Sequence, residues 1–170
     1  MTPDDVVNNA LEIAGHPNRI SSLWDGSPEA AIARDLYGET RDEALAAQPW
    51  NFARAFYTLT ASGAPATGWL YSYSRPATAI TLLDVYPGNL SPTEILDARP
   101  SRWLEIRTGT RLIQTRFSPA IAAVTDRVVD PTTWIPDFTA LVVQVLAKKL
   151  QAAFGKDQVD EPRGYRQQRA

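Results

Sequence analysis

The sequence contains no cysteine and only one histidine, His16. Without cysteine the chain cannot form disulfides, thiolate metal sites or a cysteine nucleophile, and a lone imidazole offers little for metal binding or acid–base catalysis. His16 precedes Pro17 at the predicted end of the first helix, so we expect it to interact with the free carbonyl groups there. No metal or other cofactor is predicted.

The chain also lacks a surplus of positive charge and a long apolar run. Its 17 basic and 19 acidic residues give a formal charge of −2, whereas a protein that grips phosphates gathers a basic surplus on one face. No apolar run approaches the roughly 18 residues that cross a bilayer. Asp4 and Asp5 stand where a signal peptide would be basic. We expect neither tight DNA binding nor a membrane segment, and no export by the usual route.

Short catalytic motifs are missing as well. The chain has no serine-hydrolase, phosphate-loop, dinucleotide-binding or zinc-protease signature. A hydrolase can still use two carboxyl groups held at a set separation in a cleft. The candidates are Glu12, Glu39, Asp42, Glu43, Glu94 and Glu105. None of them lies in a recognisable motif, so the chain is predicted not to be an enzyme.

Three helices are predicted, and two of them carry clear start signals. Thr2-Pro3-Asp4-Asp5 and Ser27-Pro28-Glu29 each combine a hydroxyl cap, a proline at the first helical position and an early carboxylate. Apolar spacing places these helices at 3–15 and 28–48, and a broad apolar stripe places a third at 134–154. Small side chains on the second helix suit close packing against another helix.

Between the second and third helices the pattern changes to short runs that are typical of strands. These runs predict a β-rich insert over 52–128, with strands at 52–61, 69–73, 79–85, 103–107, 110–116 and 120–128. Gly109 can supply the positive φ of a tight turn, so a hairpin is predicted over 104–112. The connectors 62–68 and 87–101 are rich in turn residues and are predicted to be surface loops.

The order of helices, strands and a final helix indicates an α+β fold: an antiparallel bundle of terminal helices with an inserted antiparallel β-sheet layer. Residues 1–154 are then predicted to form a single domain, for which 44% apolar content in 170 residues is sufficient. The segment 155–170 has only Val159 and Tyr165 as bulky apolar side chains. We therefore expect a flexible C-terminal tail that becomes ordered on a partner.

Two surface patterns could serve recognition. The second helix carries charges of both signs at Arg34, Asp35, Glu39, Arg41, Asp42 and Glu43. On an isolated subunit such a face is solvated, but in a ring it can contact the neighbouring copy. Trp69, Tyr71 and Tyr73 alternate along a predicted strand and could stack on bases or a sugar. Only Arg75 supplies positive charge nearby, so packing in a core or interface is favoured for the aromatic residues.

The segment Arg41-Asp42-Glu43-Ala44-Leu45-Ala46-Ala47-Gln48-Pro49-Trp50-Asn51-Phe52-Ala53 joins the second helix to the first strand. It resembles the tail tubular protein A and head-to-tail adaptor family of short-tailed bacteriophages. Later motifs follow the order of that family: Trp69-Leu70-Tyr71-Ser72-Tyr73-Ser74-Arg75-Pro76, then Leu82-Leu83-Asp84-Val85, a hairpin, Asp126, and a long helix after Pro136-Asp137-Phe138. The similarity covers about residues 2–154.

This resemblance implies a structural virion protein at the head–tail junction, made in the host cytoplasm. Such proteins form rings, commonly of twelve copies, under the portal protein, and they support the tail tube or nozzle. Genomic DNA passes through the ring without sequence-specific binding. The charged face of the second helix would then be a subunit interface. The C-terminal tail would dock on the portal through Lys156, Arg163, Tyr165, Arg166 and Arg169.

Two alternatives stay open from the sequence. Tail accessory factors related to this family can carry a cell-wall-cleaving activity, so a peptidoglycan hydrolase is the enzyme alternative. Glu39, Asp42 and Glu43 are the carboxylates to neutralise in testing it. The other alternative is a small neck completion protein that binds as a monomeric plug.

Overall fold

The computed structural model of the chain describes residues 1–90, 94 and 102–157. Within these residues the helices are α1 (Pro3–Ile13), α2 (Pro28–Ala47) and α3 (Pro136–Asp157). The strands are β1 (Arg54–Thr58), β2 (Tyr71–Ser74), β3 (Ala79–Pro87), β4 (Leu104–Thr108), β5 (Thr110–Thr115) and β6 (Ala120–Asp126). Two short 3₁₀ turns, Asn51–Ala53 and Pro131–Thr133, precede β1 and α3.

The chain divides into two compact units. The helical unit comprises Met1–Ala44 and Val129–Ala170, and the strand unit comprises Leu45–Val128. The mixed helix and strand composition predicted from the sequence is confirmed, and the strand unit corresponds to the predicted β-rich insert. The single domain predicted over 1–154 thus consists of two units.

The start of α1 follows its local sequence. The Thr2 hydroxyl accepts a hydrogen bond from the Asp5 amide at 3.2 Å, and the Asp5 carboxylate accepts one from the Thr2 amide at 2.7 Å. This reciprocal cap satisfies two donors that the first helical turn leaves free. It also lowers the pKa of Asp5, because the Thr2 backbone and hydroxyl hydrogen bonds favour the charged carboxylate. The helix ends at Ile13, two residues before the predicted boundary at 15, and Gly15 follows with φ of 77°.

The ends of the other helices differ from the predictions. α2 stops at Ala47, one residue before the predicted boundary, ahead of Pro49. α3 begins at Pro136 and not at 134, because Trp134 is extended and closes a separate turn that Asp130 caps. The expectation that Gly155 ends α3 is wrong, since the helix continues to Asp157. Residues 155–157 of the predicted flexible tail are therefore helical, and 158–170 lie outside the described residues.

α1 and α3 pack against each other in the helical unit. Their contact buries Val6, Val7 and Leu11 of α1, while Phe138, Val142, Leu146 and Leu150 of α3 are also fully buried. His16, just after α1, has its ring 4.3 Å from the ring of Phe154 near the end of α3. Met1, before α1, lines the same groove as Pro136 at the start of α3. The two helices therefore run in the same direction, and the predicted antiparallel bundle is not confirmed for them.

The strand unit contains two antiparallel sheets instead of the single layer predicted. Their strand orders are β1-β6-β3 and β2-β5-β4. One core joins them, with Val85 and Val124 from the first sheet packed with Tyr73 and Ile113 from the second. β1 and β6, the first and last strands of the unit, are neighbours, with Arg54 opposite Thr125. The sequence places each strand correctly to within a few residues, but not its sheet.

The predicted hairpin over 104–112 is confirmed. β4 and β5 pair with Thr108 opposite Thr110, and Gly109 between them has φ of 73°. An L-residue with a side chain rarely adopts this backbone conformation, which explains the glycine. The predicted connector 62–68 contains no strand. The second predicted loop, 87–101, begins within β3, and most of it lies outside the described residues.

Candidate functional site

The six charged residues predicted as a subunit interface all lie on α2. Arg34, Asp35, Glu39 and Glu43 are exposed, whereas Arg41 and Asp42 are partly buried. The Arg41 guanidinium contacts the Asp42 carboxylate through Nε at 2.8 Å and Nη2 at 2.7 Å. Glu43 pairs with Lys149 of α3, whose Nζ lies 2.7 Å from Glu43 Oε2. Among the residues that the structure describes, Asp35 and Glu39 have no ion pair, so they remain available to a partner.

These contacts bear on the carboxylates considered for hydrolysis. A catalytic pair needs two carboxyl groups that face one cleft. Asp42 and Glu43 instead hold ion pairs with basic neighbours. Glu12 lines a groove in the helical unit, but no second carboxylate among the described residues lines it. Within the same residues no group of three or more His, Cys, Asp or Glu side chains could hold a metal ion. No two of these candidate carboxylates therefore face each other across that groove.

A loop before α2 presents an exposed tryptophan that the sequence patterns did not single out. Trp24 is 76% exposed, and the Arg34 guanidinium carbon lies 4.6 Å from the centre of its ring. This is the distance of a cation–π contact. Helix or strand periodicity gives no signal for it, because Trp24 stands in a short polar loop between α1 and α2.

The loop that carries Trp24 is fixed by the Asp25 carboxylate. Its Oδ2 accepts hydrogen bonds from the Ser21 amide at 2.8 Å and the Ser21 hydroxyl at 3.2 Å. Its Oδ1 accepts from the Ser27 hydroxyl at 2.6 Å and the Ser27 amide at 2.9 Å. The Ser27 and Ser21 hydrogen bonds hold the pKa of Asp25 well below its usual range, because they favour the charged form. Ser27 also caps α2 by accepting from the Ala30 amide at 3.1 Å.

A groove of about 850 Å³ lies between α1 and α3 in the helical unit. Its apolar lining comes from Met1, Ile13, Pro131, Trp134, Pro136, Ala140 and Val143. Asn9, Glu12, Thr132, Thr139 and Gln144 supply its polar lining. Met1 and Ile13 are 53% and 62% exposed, so apolar surface at the groove is open to solvent. A groove of this volume with few polar groups is typical of a binding site.

His16 holds the ends of two helices together. Its Nδ1 accepts from the Asn18 amide at 3.4 Å, and its Nε2 lies 3.9 Å from Glu29 Oε1. The Asn18 side chain donates to the same Glu29 oxygen at 2.9 Å, and this hydrogen bond lowers the pKa of Glu29. The predicted imidazole cap on the carbonyls of α1 is wrong. The backbone amide of His16 performs that function, bonding the Leu11 carbonyl at 3.0 Å.

A largely buried ion pair lies in the strand unit. Arg75 Nε is 3.2 Å from Glu105 Oε1, and the two side chains are only 12% and 11% exposed. These atoms are close but are not aligned as a hydrogen bond. Arg75 Nη2 donates to the Ile80 carbonyl at 2.8 Å, and Arg107 approaches Glu105 Oε2 to 3.3 Å. Burial lowers the pKa of Arg75, although the Glu105 charge opposes that effect.

The alternating aromatic residues do not form an open stacking row. Tyr73 is 3% exposed in the core, and its hydroxyl donates to the Phe117 carbonyl at 3.3 Å. Tyr71 is 42% exposed, and Trp69 is partly buried just before β2. The interpretation that favoured packing is confirmed for Tyr73. Of the predicted docking residues, Lys156 lies within α3, whereas Arg163, Tyr165, Arg166 and Arg169 lie outside the described residues.

Comparison with known proteins does not extend this description. No protein-family model matches the chain, and no curated protein is significantly similar to it in sequence. None of the helices in the described part of the chain has the length and apolar character needed to cross a membrane. The fold defines a mixed α and β protein whose helical unit carries an open, mainly apolar groove.

Proposed function

We propose that this chain is a structural subunit of a head-to-tail adaptor ring in a short-tailed bacteriophage, where it joins the portal protein to the tail tube or nozzle. One observation carries the proposal. The helical unit presents two unlike exposed surfaces, the charged side of α2 with Trp24 and the apolar groove between α1 and α3. A ring of identical copies needs two different surfaces that fit each other, because each contact in it is heterologous.

The resemblance noted in the sequence supports the same proposal through its position in the fold. The segment 41–53 spans the last turns of α2 and the 3₁₀ turn that leads into β1. Trp50 is 8% exposed and its ring centre lies 6.1 Å from that of Phe52. Residues of the motif thus form the connection between α2 and β1. A motif at such a connection is expected to be characteristic of one fold.

The charge of the chain is consistent with a conduit for DNA. A densely basic wall would hold DNA through phosphate contacts and the release of counterions. A formal charge of −2 avoids that retention. In this proposal the protein is located in the virion at the head–tail junction, it requires no cofactor, and genomic DNA passes through the ring without being bound.

The experiment is to mix the purified chain with portal protein, measure the mass of the complex and image it by electron microscopy. We expect a monomer or weak oligomer for the chain alone and a closed ring on the portal. A chain that stays monomeric and does not bind the portal protein would contradict the proposal. A variant that ends at Asp157 keeps all of α3 and tests the proposed docking tail. It should fold normally but lose attachment, and retained attachment would exclude the tail as the docking element.

The peptidoglycan-cleaving alternative requires its own assay. Glu39→Gln, Asp42→Asn and Glu43→Gln each remove one charge from the face proposed as the subunit interface, so each should weaken the ring on the portal, by a modest amount for the exposed Glu39 and Glu43. None of them should alter lysis of cell walls, because we propose that the wild-type chain has no such activity. Lysis by the wild type that one of these substitutions abolishes would replace the structural proposal with the enzymatic one.

A further inference from the structure

Trp24 is the most exposed large apolar side chain among the described residues, at 76%. Tryptophan is large and amphipathic, so full exposure leaves much apolar surface in water. Tryptophan and arginine are also the residues most enriched among those that dominate protein–protein binding. The Arg34 guanidinium over the Trp24 ring joins both types in one exposed feature. We call these two side chains the anchor.

The anchor is held rigidly before any partner arrives. Asp25 accepts hydrogen bonds from Ser21 and Ser27 on either side of Trp24. The Leu23 amide donates to Asp4 Oδ1 at 2.8 Å, which ties the loop to α1. Binding through a loop that is already ordered loses less conformational entropy. The loop therefore has the properties of a preformed contact and not of a mobile connector.

The groove between α1 and α3 offers a complementary surface. Ile13, Trp134 and Val143 give it an apolar floor, and the side chains of Asn9 and Gln144 can accept a hydrogen bond from an indole N–H. Glu12 supplies a negative charge at the same groove. Its current partner, Arg19, lies 3.6 Å away, and both side chains are more than 60% exposed. Such an exposed pair contributes little and is easily replaced by another cation.

The anchor loop and the groove both border α1. Asp4 of this helix binds the Leu23 amide of the anchor loop, whereas Ile13 lines the groove. Nine residues separate them, which at about 100° per residue places them half a turn apart around the helix axis. Trp24 does not fill the groove of its own copy, because it is 76% exposed and does not line that groove. When two copies are placed head to tail, Trp24 of one copy can enter the groove of the other. Each further copy that is added leaves one free anchor and one free groove.

We infer that Trp24 of one copy docks in the groove between α1 and α3 of a second copy, where the Arg34 guanidinium lies against Glu12. This contact rests on the proposed function only in that both require the chain to associate with itself. The inference specifies which surfaces of the two copies meet. The contact is heterologous because each copy contributes a different surface. Arg34 beside Trp24 and Glu12 at the groove carry opposite charges, which favours a second copy as the partner.

The test is sedimentation of the full chain over a range of concentrations. Trp24→Ala removes the anchor, and Ile13→Glu places a charge in the groove without touching the core, because Ile13 is 62% exposed. Leu70→Ala is the matched control, since Leu70 is an equally exposed apolar residue of the strand unit. We expect each of the first two variants to weaken self-association by about tenfold or more and the control to match the wild type. Circular dichroism should show wild-type helix content for all three.

Mixing the two defective variants makes the test specific. Trp24→Ala chains retain a groove and Ile13→Glu chains retain an anchor, so a mixture should form heterodimers and nothing larger. A twofold symmetric contact would stop at dimers in the wild type, so wild-type assemblies larger than dimers are the result that excludes it. Wild-type chains that stay monomeric at every concentration, a Trp24→Ala variant that associates normally, or a mixture that does not dimerise would each overturn the inference.

The portal experiment separates this inference from the proposed function. If Trp24→Ala still forms a ring on the portal with wild-type affinity, the inference fails and the proposed function stands. If neither the wild-type chain nor Trp24→Ala binds the portal protein, but Trp24→Ala and Ile13→Glu complement each other in solution, the inference stands and the adaptor function fails.

Discussion

The helical unit and the strand unit use their polar side chains in opposite ways. In the strand unit, polar groups lie inside and link elements distant in sequence: Gln114 donates to the Ser72 hydroxyl at 2.9 Å and accepts from the Ala66 amide at 3.0 Å. In the helical unit, the charged side chains of α2 are mostly outside and pair with neighbours at the surface. The strand unit therefore buries more of its polar side chains than the helical unit, where most charged side chains of α2 are exposed.

The helical unit contains buried polar atoms that have no hydrogen-bond partner among the described residues, as the strand unit does at Arg75 Nε, Glu105 Oε1 and Asp126 Oδ1. In the helical unit, whose core is apolar, these atoms are Tyr37 Oη and Thr40 Oγ1. Desolvation raises the pKa of Tyr37 to about 12. Tyr37 is retained there through its ring, which stacks on Trp134 with 6.4 Å between ring centres. Tyr37 therefore contributes to this core through its ring and not through its hydroxyl.

The largest effect is expected from the apolar core of the helical unit. Phe138 is fully buried and meets Trp134 edge to face, with 4.9 Å between ring centres. Phe138→Ala should lower the free energy of unfolding by about 4 kcal/mol, because it removes apolar contacts and leaves a cavity. Urea denaturation measures this, and Ile135→Ala is the control, since Ile135 is 38% exposed. Equal effects of the two changes would show that the helical unit does not depend on this core.

A second substitution compares buried and exposed charges directly. Glu105→Ala should cost about 3 kcal/mol, because it leaves the buried Arg75 guanidinium without its partner charge. Glu43→Ala removes a pair in which Glu43 is 52% exposed, so it should cost only about 0.5 kcal/mol or less. The same urea measurement applies to both. Similar losses of unfolding free energy in the two variants would contradict the expected difference between the buried ion pair of the strand unit and the exposed pair of the helical unit.

Tyr57 tests a single polar link in the strand unit. Its hydroxyl donates to Asp126 Oδ2 at 2.6 Å, and this hydrogen bond raises the pKa of Tyr57. Tyr57→Phe should lower the free energy of unfolding by about 1.5 kcal/mol, since a hydrogen bond to a charged group is lost. Tyr71→Phe is the matched control, because Tyr71 is 42% exposed. Thermal unfolding that is unchanged in Tyr57→Phe would refute the structural role of the link.

The smallest effect is expected from Asp25, whose pKa is lowered from 3.8 by the Ser27 and Ser21 hydrogen bonds. A lowered pKa in the folded state means that this stabilisation is complete above the unfolded value. It is lost as the pH falls below about 4 towards the folded value. Asp25→Asn should therefore reduce the decline in stability that the wild type shows in this acid range. Unfolding curves at several pH values measure it, and an unchanged decline would contradict the role of Asp25 in fixing the loop.

The features that the sequence predicts correctly depend on residues close together in the chain. The cap at Thr2 and the turn at Gly109 each involve atoms within a few residues, so their local sequence is sufficient. The division of strands into two sheets depends on distant pairing, such as Arg54 opposite Thr125, which strand patterns do not encode. Gly155 predicts a helix end from its local sequence, but α3 continues to Asp157, because a glycine is tolerated inside a helix at a modest cost.

The candidate surfaces also differ in whether their residues are close together in the sequence. The charged side chains of α2 could be found from sequence, because helical spacing alone brings them to the surface. The groove could not, since it forms only where α1 and α3, more than 100 residues apart, come together in the same direction. Trp24 was missed for a different reason. Its exposure follows from how Asp25 and Asp4 hold the loop, and helix or strand periodicity does not report on that.

The pairing of β1 with β6 means that the chain enters and leaves the strand unit at adjacent points. Polypeptides with neighbouring ends can be inserted into, exchanged between or removed from a host fold at little cost. Genetic exchange could thus replace everything between α2 and α3 with an unrelated cassette while the helices stay as they are. The helical scaffold and its inserted cassette would then be free to diversify at different speeds.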